Sequence, residues 1–480
     1  MMSTSLRILF LSAEVAPFAK RGGLGDVGGS LPKALQALGH DVRVIMPAYG
    51  NIEAGYSGVE AMPGHMHVPV GGSSIINGVF RGRLPNSDVP VYFIAERNIL
   101  GRPEVYGYND DPYRFAFFSR AALELVAILN WRPHVVHAND WHTAPAITWL
   151  ATAAHNDHRL RNIPTLFSIH NMAHQGLTSW DIFNYLQIQT YPLQEEGYNQ
   201  VNFMARAIHH ATLINTVSPT YAQEIMTPAG GVHLDGMLRH RAPDVFGILN
   251  GIDTDEWNPA TDTRLPHHYD TSNLDEKHQV KRALQAALNL PQRDDVPLVA
   301  MVTRLDYQKG LDITGEVIHR LLNAQAGDAQ FVVLGTGADE YERMFAHLAG
   351  YHQDKMRAVL AYNANLAPLI YGGSDIFIMP SRFEPCGLGQ LIAMRYGTIP
   401  VAKATGGLAD TIWDGQTGFL FRQHTADAFW EALRRAVWVF YHNKTHWRHM
   451  QTMAMSQDFS WERSAKGYVD LYEKAMSRSQ

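Results

Sequence analysis

The chain has 480 residues, 46% hydrophobic, 18% charged and 10% aromatic, which excludes disordered, fibrous and low-complexity classes and leaves room for two or three domains with substantial cores. Forty Lys and Arg against 46 Asp and Glu give a net charge of −6, so no basic excess attracts nucleic acid or anionic lipid, and neither nucleic acid nor membrane is expected as a partner. The single cysteine, Cys386, excludes an intrachain disulfide and agrees with a cytoplasmic setting.

No run approaches the roughly 20 apolar residues needed to span a bilayer. The N-terminal apolar stretch is interrupted by Glu14 and continues as a glycine-rich loop, so it reads as a buried first strand rather than a signal peptide. Short β-branched runs then alternate with helical periodicity, the pattern of α/β units on a parallel sheet. Strands are expected at 8–12, 42–46, 91–94, 135–137, 165–169 and 213–217, and a second series at 245–249, 298–303, 331–334, 375–379, 399–402 and 418–421. The repeat implies two doubly wound domains, 1–245 and 246–456, with a polar, irregular hinge region near 240–262. Helical patterns at 426–441 and 460–476 close the chain. The 24 histidines include no HExxH or zinc-ribbon spacing, so neither a metal nor a cofactor is expected.

Ligands of doubly wound sheets bind beyond the carboxyl ends of the strands. After the first strand, Lys20-Arg-Gly-Gly-Leu-Gly-Asp26 leads into a helix expected from Asp26 to Leu38. Bare glycine amides, a helix N-terminus and a lysine form a cradle for an anion, most naturally phosphate. Gly23-Leu-Gly25-Asp-Val-Gly28 also matches GxGxxG, but no acidic residue for a ribose follows strand two, which weakens a nicotinamide-enzyme reading. Glycine serving only close packing is the competing explanation. In the second half, Arg304 and Lys309 flank another strand-to-helix junction, and 381–389 and 404–410 supply two more with glycine at the turn. The loops His137-Ala-Asn-Asp140-Trp-His142 and Ser168-Ile-His170-Asn171 instead carry side chains able to bond sugar hydroxyls.

Together these residues resemble bacterial-type glycogen synthases and plant starch synthases. The likeness runs from Ile8 to about Tyr472 through Lys-x-Gly-Gly-Leu, His-Ala-Asn-Asp-Trp-His, Leu249-Asn-Gly-Ile-Asp253, Arg304 with Gln308-Lys-Gly310, Pro380-Ser-Arg-Phe-Glu-Pro-Cys-Gly-Leu388 and Thr405-Gly-Gly-Leu-Ala-Asp-Thr411. The resemblance implies a GT-B glycosyltransferase, two Rossmann-like domains facing a deep interdomain cleft, with a C-terminal helix from 457 to 480 returning to the first domain. It implies metal-free, retaining transfer of glucose from a nucleotide sugar, ADP-glucose or UDP-glucose, to the non-reducing end of an α-1,4-glucan such as glycogen or a maltooligosaccharide.

Carried over by position, Asp140, His170, Arg304, Lys309 and Glu384 are the candidate catalytic residues. Lys20, Gly22, Gly23, Asp26, Asn250, Tyr362, Cys386, Gly387, Leu388, Thr405, Gly406 and Gly407 would meet the donor; Tyr108, His142 and Asn171 would contact sugar. Arg304 and Lys309 would stabilise the departing nucleoside diphosphate, the role of a divalent metal in other transferases. Departures from the family pattern are Arg21, Asn139, Gly389, and Ala205, where a lysine is usual, with Arg206 one place later. A glycoside hydrolase would leave the phosphate-type junctions unexplained, and a non-catalytic glucan-binding protein would not need Arg304, Lys309 and Glu384 together.

Overall fold

The first strand, β1 (Arg7–Leu11), is apolar and fully buried at its last four positions, as expected of a strand inside a parallel sheet with both faces covered. The computed structural model describes residues 5–478 except 51, 53–55, 57, 195 and 197–199. The chain divides into two units, one running to Gly251 and including the segment from Trp461 onward, the other comprising Ile252–Ser460.

In the first unit, β1 is followed by β2 (Asp41–Pro47), β3 (Glu60–Ala61), β4 (Met66–Val70), β5 (Ser73–Arg83), β6 (Pro90–Ala95), β7 (Val135–Asn139), β8 (Thr165–Ile169), β9 (Leu177–Ser179), β10 (Gln200–Asn202), β11 (Leu213–Thr216) and β12 (Val245–Gly247). The main sheet has the order β12-β11-β8-β7-β1-β2-β6-β5-β3, with β4 on β5, and β9 and β10 form a separate hairpin. The strands from β12 to β6 are parallel, while β5 runs antiparallel to β6 and carries β3 and β4 antiparallel to itself. The antiparallel strands escaped sequence reasoning because much of β5 is exposed and it lacks the all-apolar run of a buried parallel strand. The strand at 245, expected to open the second series, instead pairs with β11 at the edge of the first sheet, Ile214 opposite Val245.

The second unit holds β13 (Leu298–Val302), β14 (Gln330–Leu334), β15 (Met356–Val359), β16 (Ile376–Met379), β17 (Ile399–Lys403) and β18 (Phe419–Phe421), all parallel, in the order β15-β14-β13-β16-β17-β18. Helices cover the sheet and enclose a core including Leu298, Val299, Phe331, Val332, Ile376 and Ile399. Only the half-buried edge strand β15 lay outside the expected series.

The final helix, Trp461–Arg478, buries Trp461, Ala465, Tyr468, Tyr472 and Ala475 at three- and four-residue spacing. These side chains join the core that β1 and β2 make in the first unit. Tyr472 OH meets His137 Nδ1 at 2.8 Å, and Tyr468 OH accepts from Asn215 Nδ2 at 3.2 Å.

Candidate active site

Strand order reverses on the two sides of β1 in the first unit, where β1 lies between β2 and β7, and on the two sides of β13 in the second, where it lies between β14 and β16. At such switch points the loops after adjacent strands part and leave a crevice at their carboxyl ends. The loops holding Lys20 and Asp140 follow β1 and β7 in the first unit, and those holding Arg304, Lys309 and Glu384 follow β13 and β16 in the second, whereas Asn250 follows the edge strand β12 and Tyr362 the edge strand β15.

In the first unit the glycine loop leads into the helix Gly23–Ala37, which begins three residues earlier than expected. Gly22 precedes the helix, and its amide is already engaged, donating to Glu14 Oε2 at 3.0 Å alongside the Arg21 amide at 2.5 Å. The Gly22 amide, expected to face the donor, thus has an internal acceptor in this structure. A Cβ built on Gly22 or Gly23 would meet nothing within 4 Å, whereas one on Gly28 would lie 2.5 Å from Glu14 O. The GxGxxG match thus mixes an open glycine with one demanded by close helix packing. Lys20 Nζ rests 2.6 Å from Asp26 Oδ1, with half its side chain exposed. Burial raises the Asp26 carboxyl above its ordinary range against the opposing pull of Lys20. Arg21 pairs with Glu104.

Glu14 organises this corner: its other oxygen accepts from Tyr106 OH at 2.7 Å. Tyr106, which burial keeps protonated, stacks on His142 with ring centroids 4.7 Å apart. Sequence reasoning missed both. A charge at the end of an apolar strand was the signal for Glu14, but nothing in the spacing separates Tyr106 from Tyr108. Tyr108 instead lies under the guanidinium groups of Arg102 and Arg114, at 4.8 and 4.6 Å from its ring, and its hydroxyl accepts the Glu104 amide at 3.2 Å.

Asp140 follows β7 with φ +56°, a left-handed conformation that Asp tolerates better than most residues. The turn directs its Oδ1 to the His170 amide at 2.7 Å. Burial nonetheless raises its pKa to about 7, against the opposing effect of the His170 and Asn171 amides. Burial also lowers His170 to about 4 and holds His142 well below its ordinary value, so both rings are neutral at pH 7. The tautomer of His170 follows from its neighbours. Asn139 Nδ2 donates to Leu11 O at 2.9 Å, which turns Oδ1 toward His170 Nε2 at 3.0 Å. An amide oxygen only accepts, so Nε2 carries the proton and Nδ1 is left as an acceptor. Asn171 Oδ1 accepts the Ala173 amide at 3.0 Å, and His142 Nδ1 is buried without a partner. Asn250 is 6% exposed, with Oδ1 likewise unpartnered.

In the second unit Lys309 Nζ donates to Glu384 Oε2 at 2.7 Å, and Ser381 Oγ donates to the same oxygen at 2.9 Å. Both partners fall on one oxygen, leaving Oε1 available to accept from a ligand. Among the described residues Arg304 is tied only to Asp306, at 3.0 Å, and two thirds of its side chain is exposed. A Cβ on Gly406 would lie 2.0 Å from Glu384 O, and one on Gly407 2.1 Å from Cys386 O. The turn at Thr405 therefore packs backbone to backbone against the turn carrying Glu384 and Cys386 and helps set its shape. Gly387, at φ +74°, and Leu388 complete that turn before the helix Gly389–Arg395. A Cβ on Gly389 would come 3.1 Å from the Phe377 ring. Tyr362 is 89% exposed, in the segment between β15 and the helix Leu366–Gly373. Among the described residues no group of three His, Cys, Asp or Glu is placed to hold a metal ion.

Residues 7–240 match the family described as the starch synthase catalytic domain, and 284–438 match glycosyl transferases group 1. A glycogen synthase from Anaeromyxobacter sp. (strain Fw109-5) is 45% identical, over 97% of this chain and 99% of the relative. The chain belongs to the glycogen and starch synthase family. A second glycogen synthase, from Moorella thermoacetica, is 42% identical over 99% of this chain and 98% of its own. The catalytic domain of starch synthase IV from Arabidopsis thaliana, solved with ADP and acarbose, superposes with a TM-score of 0.90 at 36% identity, covering 99% of this chain and 100% of that one. A sucrose-phosphate synthase from Thermosynechococcus elongatus, at TM-score 0.63 and 18% identity over 98% of this chain and 99% of that one, shares the fold alone. The fold is GT-B, and membership of the glycogen and starch synthase family makes the protein a glycosyltransferase using a nucleotide-sugar donor and a glucan acceptor.

Proposed function

We propose that this synthase transfers glucose from ADP-glucose to the non-reducing end of an α-1,4-glucan, glycogen or a maltooligosaccharide, with retention of configuration. The observation that carries the reading is the Lys309–Glu384 pair at the second unit's switch point, 2.7 Å apart beside Ser381. A cation and a carboxylate so placed suit the two ends of a nucleotide sugar, the ammonium taking the diphosphate and the free carboxylate oxygen a glucose hydroxyl. Arg304, largely exposed and weakly tied, is free to join the phosphates. Lys20 and the Gly23 amide are the first unit's candidates for donor charge, with Asp26 holding Lys20 until the anion arrives. The starch synthase IV structure holding ADP favours adenine as the base. The cytoplasm is the setting this assignment implies.

In the step proposed, the bond from glucose C1 to the phosphate oxygen breaks as C1 bonds to the acceptor O4, on the same face. The acceptor proton passes to the departing phosphate, whose added charge Arg304 and Lys309 neutralise. Neutral His170 presents Nδ1 as a hydrogen-bond acceptor for a sugar hydroxyl, while Asp140, ionised above about pH 7, stabilises positive charge developing at C1.

Incubation with glycogen and either ADP-glucose or UDP-glucose, followed by measurement of released nucleotide, tests this. Release with ADP-glucose is expected, lowered about 100-fold or more in Arg304→Ala and Lys309→Ala while folding persists. No release with either donor, or near-normal turnover in those variants, overturns the reading.

A further inference from the structure

At the opposite, amino ends of the first unit's strands, a cavity of about 310 Å³ opens where β1, β7 and β8 begin. Its charged side chains are all hydrogen-bond donors. Arg7 Nε donates to Arg132 O at 2.6 Å, and Arg132 Nη2 donates to Arg161 O at 2.8 Å. Each of these bonds tethers one guanidinium group to a carbonyl, and among the described residues their other N–H groups have no partner. His134 Nδ1 accepts the Arg7 amide at 3.2 Å, so in the neutral ring the proton sits on Nε2 and a third donor is presented. Asn162 adds a side-chain amide, while Ile163 and Met476 supply an apolar wall.

Among the described residues no carboxylate lines this space. Asp41, opposite Arg7 in the β1–β2 register, is engaged by Trp131 Nε1 at 2.7 Å and lies 3.6 Å from Arg43. Among the described residues neither Arg7 nor Arg132 has an ion-pair partner, whereas Arg102, Arg206 and Arg264 each hold a carboxylate. Two tethered guanidinium groups and an imidazole N–H around one space match the oxygens of a phosphoryl group, and the apolar wall matches an organic body attached to it.

We propose that this pocket is a second anion site, distinct from the donor site, that binds a small phosphomonoester. Isothermal titration calorimetry on the full chain tests it, with glucose 1-phosphate and inorganic phosphate as probes at constant ionic strength. Since Lys20, Arg304 and Lys309 are themselves candidate phosphate ligands, the titrations use the Lys20→Ala, Arg304→Ala, Lys309→Ala background. One site per chain is expected, tighter for glucose 1-phosphate than for phosphate, and weakened about tenfold or more by Arg132→Gln and by Arg7→Gln. Arg132 is exposed, so its variant keeps the fold even where that of Arg7 does not. Binding absent from this background, or unchanged by Arg132→Gln, overturns the proposal. Equal affinity for the two probes assigns the site to free phosphate and overturns the organic part.

Discussion

Asp140 keeps a carboxyl group where burial opposes its charge, and that opposition makes stability depend on pH. Its folded pKa of about 7 lies above the unfolded value, so folding favours the protonated form. The stability this contributes is present at low pH and lost as pH rises through about 7. Asp140→Asn should therefore lose activity yet melt higher than the parent at pH 8, by on the order of 1–4 kcal/mol, with the difference shrinking toward pH 5. Thermal melts of both proteins across that range check it, and a variant destabilised equally at both pH values would contradict the burial argument. Asn139 offers a second test at this scale. Asn139→Asp places a carboxylate beside His170 Nε2 and should raise the imidazole pKa by about one unit or more, read by NMR titration. The motif around Asp140 was legible because its residue types are distinctive. The tautomer of His170 was not, because it depends on Leu11 O, a backbone atom brought to it from another strand.

Among the elements, the helix Phe203–His210 gives Arg206 a role, while nothing in the structure explains alanine at position 205. Arg206 is fully buried and forms a two-pronged pair with Glu196, Nε to Oε1 at 2.8 Å and Nη2 to Oε2 at 2.5 Å. Two further donors reach Thr190 Oγ1 and Tyr191 O at 3.0 and 2.8 Å. This is a structural cross-link, not a ligand contact. Removing one side strands a buried charge, so Arg206→Ala is expected to cost about 3–5 kcal/mol by denaturant unfolding. In the helix Trp461–Arg478, Tyr472→Phe removes only the hydroxyl that meets His137 Nδ1, for about 1–3 kcal/mol. Helix positions were readable from apolar periodicity, since one buried face imposes it. Neither of these tyrosine and arginine partnerships was, because the residues involved lie far apart or sit in irregular loops.

For the whole molecule, the chain leaves the first unit after Gly251 and re-enters it at Trp461. Tyr468, Leu471 and Tyr472 complete the core beneath β1 and β7, so a chain ended at residue 460 should expose that surface. Increased binding of a hydrophobic dye and a lost unfolding transition are the expected readouts; a truncated chain that melts like the parent would show the helix to be dispensable. The amino-acid sequence by itself determined the α/β class, the twofold repetition of the pattern and the strand-end loops that carry charge, because buried parallel strands are apolar and the polar or glycine-rich loops that leave them stand out against that pattern. Only the tertiary structure decided that the strand at 245 belongs to the first sheet, that Glu14 takes the Gly22 amide, and that Tyr106 rather than Tyr108 stacks in the candidate site. Those outcomes rest on register and on hydrogen bonds between segments distant in the chain, which local patterning does not encode.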